Sequence, residues 1–454
     1  MSIKKIKEFY KISNNFLRNN QSNEMIGIPY LNPHIPRTIF FNRNLNFNFL
    51  IKILNYLIRL FFLNKDHNFC SKKKFKHIIL SHLVSYDHLN YKNDFYFGNL
   101  GEKLGCDNVL FILIDHVGFD KKKLKKNIKG NYIILSRSSS IYQEIKMLSF
   151  TFFKTLYNQL FNPKLKLFKI NNIIGSVENQ RIQLKIRKIF NQFYFDNFFF
   201  TFEGNPYEKL VCKEVNDLKR KTSCIGYQFS VLRKFQHSIY QNIDKKLDPD
   251  VIFTIGDYNK KLLISKFQKR IKVYNIGNLR LKGNKYFPKK KIINKKIKIL
   301  VMPEGIPSEI ELFINFCMKN YNKAIIYNLR MHPIFKKKTF IKKISYRNNQ
   351  NIKISNNSLD YDFKNNDLIL YRGTASAIEA IKFGLIPLYL KNKDEVSVDP
   401  LFKLNKYHIF EDNKKLLDLV NQILTKKKYL NERKKMKLFA QNFYQPVNFK
   451  KIFK

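Results

Sequence analysis

The chain has 454 residues, 44% of them hydrophobic, which is enough to bury the cores of two domains or more and too apolar for disorder throughout. Its 85 Lys and Arg against 34 Asp and Glu leave a net charge of +51, which puts nucleic acid first among the partners to weigh. The same composition, rich in Lys, Asn, Ile, Phe and Tyr with no Trp and only 15 Gly and 13 Pro, is what AT-rich codons supply, so the charge is a weak guide to function.

A dedicated nucleic-acid binder concentrates its cations on one element with aromatics spaced for stacking. Here Lys is spread over the whole length, and the densest runs, 121–129, 282–298 and 336–343, fall between apolar segments and read as solvated loops and linkers. As such they need no ligand; nucleic acid is therefore not an expected partner, and peripheral contact with an anionic membrane face is the alternative reading of the charge. Five scattered cysteines with no C-x-x-C pair fit a reducing, cytoplasmic setting without a zinc or redox site. The N-terminus is basic and lacks the apolar core of a secretory signal. The apolar stretch 47–63 is broken by Asn48, Lys52, Asn55 and Arg59; it is too short and too polar to span a bilayer and reads as a helix packed on its own domain or, alternatively, as an amphipathic helix in a membrane interface.

From residue 75 onward, short apolar runs alternate with segments of helical period, the pattern of parallel sheets covered by helices. The predicted strands are HIILSHLVSY (77–86), NVLFILID (108–115), NYIILS (131–136), FFFTFE (198–203), CIGYQFS (224–230), VIFTIG (251–256) and RIKVYNIG (270–277), with helices at 139–160 and 178–193. Several strands are apolar on both faces, as buried parallel strands must be. A Lys-dense segment, 279–297, has linker composition. The alternation then restarts with KILVMPE (298–304), AIIYNLRMHP (324–333), NIKIS (351–355), DLILYRG (367–373) and LIPLYL (385–390), and ends in two helices at 412–425 and 428–442. The expected organisation is a basic, amphipathic extension (1–74), a Rossmann-like domain (75–278), the linker, a second Rossmann-like domain (298–442) and a tail (443–454). The fold class is α/β, with two Rossmann-like domains facing a cleft. In such sheets ligands bind beyond the carboxyl ends of the strands, and residues there receive the functional weight.

In DLILYRGTASAIEAIKFGLIPLYL (367–390), a strand runs into Arg372 and Gly373, a helix is predicted to begin at Thr374, and Gly384 closes it. Backbone N–H groups around Gly373, Thr374, Ala375 and Ser376, with two hydroxyls, suit a phosphate, and Glu379 one turn on suits a ribose hydroxyl. The strand 324–333 delivers Arg330 and His332 to its carboxyl end before Pro333, where both can stabilise charge on a departing nucleotide. Glu304 and Gly305 end the first strand of the same half. In the first half, FFFTFEGNPYEKLVCKEV (198–215) carries a strand to Glu203, then Gly204, Asn205 and Pro206, then a helix starting near Tyr207. A carboxylate at that strand end is placed to take a proton from an acceptor hydroxyl. Asp115 and His116 are weaker candidates on the same edge. The strings Asp248-Pro249-Asp250 and Asp360-Tyr361-Asp362 both precede strands and are read as turns at amino ends, so no metal is expected. Walker A, H-E-x-x-H, G-x-S-x-G and clean dinucleotide-binding motifs are absent.

These residues resemble known enzymes. The two-half layout, with His332-Pro333 after one strand and Thr374 to Ser376 after another, resembles the GT-B glycosyltransferases. TFEGNPYEKLVCKEV followed by CIGYQFS is similar to the Y-E-G-x-x-W-E…G-Y-Q-H segment of bacterial surface-carbohydrate (capsule and lipopolysaccharide) biosynthesis proteins. The order of acidic-Gly, His-Pro and Ser/Thr motifs is similar to that of sialyl- and Kdo-type transferases. The resemblance covers roughly 75–440 and departs at Phe202, where a second acid often stands, and at Tyr207, which replaces a Trp. It implies Glu203 as general base, with His332, Thr374 and Ser376 holding the nucleotide phosphate. The donor is then a nucleotide sugar, a CMP-sugar being favoured over UDP- or GDP-sugars, and the acceptor a glycan or a lipid-linked glycan. No cofactor is implied, and the expected place of work is the cytoplasm, at the inner membrane face. Two alternatives are a nucleotide-sugar epimerase of the same fold and a non-catalytic basic protein that binds nucleic acid or membrane.

Overall fold

The computed structural model describes residues 3–28, 66–70, 72–115, 118–161, 173–235, 238–268, 270–280, 296–332, 351–392, 397–404, 408–410 and 428–452, with isolated residues at 51, 54–56, 58 and 416. Pro333, His116, the whole of the Lys run 336–343 and most of the predicted helix at 412–425, of 47–63 and of the Lys run 282–298 lie outside the described residues. Two compact units are present, one of Met1–Phe229, Gln236–Lys282 and Pro446–Lys454, the other of Ser230–Phe235 and Gly283–Gln445.

Among the described residues the first unit carries an eight-stranded sheet. Its strands are β1 (His67–Asn68), β2 (His77–Leu83), β3 (Val109–Asp115), β4 (Tyr132–Leu135), β5 (Asn197–Thr201), β6 (Ser223–Gln228), β7 (Val251–Thr254) and β8 (Lys272–Asn275). They lie in the order β1-β4-β3-β2-β5-β6-β7-β8, with every pairing parallel except β1 with β4. The chain runs outward from β2 to β4 and then returns to β2's other side with β5. This reversal is the switch point of a doubly wound sheet, where a crevice opens beyond the carboxyl ends. Seven consecutive pairs from His77↔Val109 to Leu83↔Asp115 lock β2 to β3, and β3 is buried from Val109 to Ile114, so a one-residue slip has no apolar advantage to offer.

The second unit repeats the pattern with β9 (Ile297–Met302), β10 (Ile325–Leu329), β11 (Ile352–Ile354), β12 (Leu368–Tyr371), β13 (Ile386–Leu390) and β14 (His408–Phe410). The order is β11-β10-β9-β12-β13-β14, all parallel, with the switch point between β9 and β12. Ile299, Val301, Tyr327, Leu370 and Leu388 join Ile310 and Phe313 of the helix Pro307–Lys319 in its core. The α/β class and both Rossmann-like sheets are thus present.

Other elements differ from expectation. Within 1–74, the helix Ile3–Asn19 docks through Phe16 and Leu17, and with Met25 and Ile26 it packs on Leu210, Ile243 and Leu247. The Lys run that starts at Lys121 is not a loop: Lys121–Asn127 is a helix, because Asp120 caps it by accepting from the Lys123 N–H at 2.9 Å and Leu124 anchors it in the core. At the C-terminal end of the chain, the helix Lys428–Phe443 is formed and belongs to the second unit, while Asn448 belongs to the first and donates its N–H to the Ile276 carbonyl within it. No helix among the described residues is long and apolar enough to cross a membrane, and no group of three metal-ligating side chains occurs among them.

Candidate functional site

At the switch point of the first sheet a cavity of about 690 Å³ is lined by the ends of β2, β3 and β4 and by the turn after β5. Glu203 is half-buried and lines it, together with His82, Tyr96, Asp115, Asn205 and Tyr207. Its backbone is held by the buried carboxylate of Glu208, five residues on. Glu208, in the first turn of the helix Pro206–Asn216, accepts the backbone N–H of Glu203 (3.0 Å), Gly204 (2.7 Å) and Asn205 (3.1 Å) and the Asn205 side-chain amide (3.0 Å). Burial pushes Glu208 up to about 8, and the nearby Glu203 charge adds to this, while the N–H groups pull the other way. Pro206 starts the helix with its φ already suitable. Gly204 has φ +94, and a Cβ there would lie 2.4 Å from Ser238 Oγ and 2.9 Å from the Ile239 nitrogen, so the turn that aims Glu203 requires glycine.

Sequence reasoning missed the neighbours of this turn. His82 lies inside β2, where HIILSHLVSY reads as a continuous strand, and its Nε2 meets Tyr207 Oη at 2.9 Å. Tyr207 Oη is also 3.3 Å from Thr201 Oγ1. Full burial raises the Tyr207 phenol well above its ordinary range, so it stays a neutral hydroxyl, and the Tyr that replaces the expected Trp acquires a hydrogen-bonding role. Tyr96 packs edge-on to His82 at 5.4 Å, and its hydroxyl is pushed up to about 12 by burial, with the Glu203 charge contributing. The far wall holds Arg181 and Lys185, one helical turn apart on Ile173–Gln192. Arg181 Nη2 donates to Glu144 at 2.8 Å, Tyr56 donates to the same carboxylate, and Lys185 Nζ donates to Asp66, to Ser136 Oγ and to the Ser136 carbonyl. Asp115 caps its own turn, accepting from the Gly118 and Phe119 N–H groups.

The second unit has its own cluster at the carboxyl ends of β9, β10 and β12. Glu304 follows β9, His332 follows β10, and Gly373 follows β12. Burial lowers the pKa of His332 while the Glu304 charge opposes it, so the two are electrostatic neighbours and burial favours the neutral imidazole. Arg233, which the motif search passed over, joins them: its Nη2 lies 3.3 Å from Glu304 and donates to the Gly373 carbonyl at 3.0 Å. No strand or helix pattern marks that residue, because 230–235 is a short irregular segment after β6. Gly305 is exposed beside Glu304.

The helix after β12 begins at Ser376 rather than Thr374 and spans only Ser376–Lys382. Thr374 Oγ1 accepts from the Ser376 N–H at 3.3 Å, which draws the residues before it into a turn. Ala375 is exposed, Thr374 and Ser376 are half-exposed, and Gly384 with φ +85 ends the helix as expected. Glu379 interacts with Lys382 one turn along. Arg330 is drawn aside into an ion pair, Nη1 to Asp362 Oδ2 at 2.6 Å, and also donates to the Asn357 carbonyl. Arg372 is 2% exposed, with its charge felt by Tyr389.

The reading of Asp360 and Asp362 as an amino-end turn is corrected. Both stand in the first turn of the helix Leu359–Asn365, which starts right after β11 and so at the carboxyl edge, where Ser355 and Arg330 bind Asp362. Asp248 is held by Lys209 and Arg270, and Asp250 accepts from the Cys224 N–H ahead of β7.

No protein-family model matches the chain, and no curated protein matches it closely enough to count as a relative. Among solved structures it is similar to the UDP-GlcNAc 2-epimerase from Neisseria meningitidis bound to UDP-GlcNAc, at 13% identity and a TM-score of 0.49, over 84% of this chain and 98% of that one. It is also similar to the glycotransferase of kitacinnamycin, at 10% identity and a TM-score of 0.47, over 82% of this chain and 96% of that one. A third similar structure is Alr3699/HepE from Anabaena in complex with UDP and glucose, at 8% identity and a TM-score of 0.46, over 82% of this chain and 96% of that one.

Proposed function

We propose that this chain is a GT-B glycosyltransferase that moves a sugar from a nucleotide-sugar donor, a CMP-sugar by preference, to a glycan or lipid-linked acceptor in surface-polysaccharide synthesis. The observation that carries the reading is Glu203, a carboxylate on the wall of a cavity large enough for a sugar, held there by the Glu208 clasp at a switch point. In the proposed reaction Glu203 takes the proton of the acceptor hydroxyl while the acceptor oxygen bonds to the anomeric carbon. The bond from that carbon to the donor phosphate breaks, with inversion, and negative charge collects on the leaving nucleotide.

On this reading the second unit holds the donor. His332 as a neutral N–H donor, the Thr374 and Ser376 hydroxyls and the N–H groups of Gly373 to Ala375 face the phosphate, and each well-aimed donor contributes about 2–4 kcal/mol to charge stabilisation. Glu379 takes the ribose, and Glu304 with Gly305 forms the floor. Arg330 and Arg372, engaged or buried, act through the field they set up. Arg233 stiffens the floor through its hold on Glu304 and on the Gly373 carbonyl. No metal is assigned a role.

The test is a thermal-shift screen of CMP-, UDP- and GDP-sugars followed by product analysis with and without acceptor. A nucleotide sugar should raise the melting temperature by mass action. Nucleotide released only when acceptor is present supports transfer; a rearranged nucleotide sugar formed without acceptor identifies an epimerase instead.

A further inference from the structure

The 21-residue helix Ile141–Phe161 is inside out. Its core-facing stripe is mostly polar: Glu144, Thr151, Thr155 and Asn158 are buried with Met147. Three of them have partners inside, Glu144 in Arg181, Thr151 in the Gln180 amide at 2.8 Å, and Asn158 by donating to the Lys154 carbonyl. The outward face is apolar, with Phe150 58%, Phe153 65%, Tyr157 56% and Leu160 68% exposed. An ordinary surface helix has the opposite polarity, and a contiguous exposed apolar stripe of this length marks a contact with an apolar phase.

Charge decides which phase. The sole acid of the helix is the buried Glu144, the outward side carries Lys146, and Lys154 flanks the apolar stripe. The next eleven residues, 162–172, hold Lys164, Lys166 and Lys169 and no acid. A second copy of a chain of net charge +51 would bring cation against cation across such a face, with no acid there to pair. We propose that the outward face of Ile141–Phe161 lies in the interface of a bilayer rich in anionic lipid, with aromatic and Leu side chains below the headgroups and Lys at their level. Glu144 ties this helix to Arg181 on the cavity wall, which puts the first unit's cavity beside the bilayer surface. The proposal stands on the helix and the charge around it and holds whether or not sugar transfer is the activity.

The chain has no Trp, so Phe153→Trp introduces a single tryptophan, excited selectively over tyrosine, at an exposed position. Vesicles of phosphatidylcholine with phosphatidylglycerol should shift its emission to the blue, and phosphatidylcholine alone should shift it much less. In co-sedimentation, the double variant Phe153→Glu/Leu160→Glu, altered only at exposed sites, should bind the anionic vesicles at least about tenfold more weakly with an unchanged melting temperature. Absence of the blue shift, or anionic-vesicle binding equal in the double variant and the parent, overturns the proposal. So does a parent dimer, seen by sedimentation velocity, that the double variant dissolves.

Discussion

The turn that aims Glu203 can be tested without touching the carboxylate, by Gly204→Ala. A residue with a Cβ at φ +94 costs roughly 1–2 kcal/mol on backbone grounds alone. The new Cβ would also stand 2.4 Å from Ser238 Oγ and 2.9 Å from the Ile239 nitrogen; the hydroxyl can rotate away, but the backbone nitrogen has to be displaced. Overpacking of this kind adds about 1–3 kcal/mol, so the expected loss is about 2–5 kcal/mol of stability in urea denaturation. Because Gly204 follows Glu203 directly, a shift of about 1 Å there should lower turnover roughly a hundredfold, while affinity for the nucleotide sugar, assigned to the second unit, stays as it was. Adding Ser238→Gly should recover the part of the loss due to Oγ and leave the rest. A Gly204→Ala protein within about 0.5 kcal/mol of the parent and with full turnover would refute the idea that this turn positions the carboxylate.

Two further outcomes follow from the geometry. His77 is buried at the start of β2 beside the Asn197 amide, and burial together with Lys76 holds it down at about 4. Its folded value lies below the ordinary imidazole value, so the unfolded chain binds the extra proton first. Its contribution is full above about pH 6.5 and is lost as pH falls toward about 4, a loss of roughly 2–3 kcal/mol that denaturation of His77→Asn across that window should lack. His332→Ala should weaken nucleotide-sugar binding by about tenfold or more in calorimetry. In the parent, affinity should rise as pH falls below the ordinary imidazole range, because a protonated His332 attracts phosphate more strongly; affinity that is flat with pH and unchanged in the variant would remove His332 from the donor site.

Much of the architecture was legible because buried parallel strands leave a plain mark. VLFILID, FFFT and LILY are apolar on both faces, and each belongs to a central strand. The two-residue β1 and the three-residue β14 leave no such mark, since pairing with a sheet edge and not their own pattern defines them. In the site, Glu203 was visible as an acid ending an apolar strand and followed by glycine. His82 was not, because a histidine inside an apolar strand gives no hint of the tyrosine hydroxyl that awaits it 125 residues later. Arg233 was invisible for a similar reason: its partners are a strand end and a carbonyl 71 and 140 residues away. Asp362 was misplaced because the three-residue strand before it was followed by a helix start, which moves the acid to the opposite edge of the sheet from the one that its distance to β12 suggested. The inverted helix Ile141–Phe161 was predicted as a helix, but periodicity alone does not say which of its two stripes faces the core.

Glu203 as the proton acceptor is the centre of the account, and Glu203→Gln tests it most directly through paired measurements of turnover and of donor affinity in one preparation. The substitution keeps the size of the side chain and leaves the Glu208 clasp on the backbone N–H in place. Turnover should fall by about a hundredfold to ten-thousandfold while the dissociation constant for the nucleotide sugar is unchanged. Turnover that survives, or donor affinity that falls in parallel with it, would contradict the assignment.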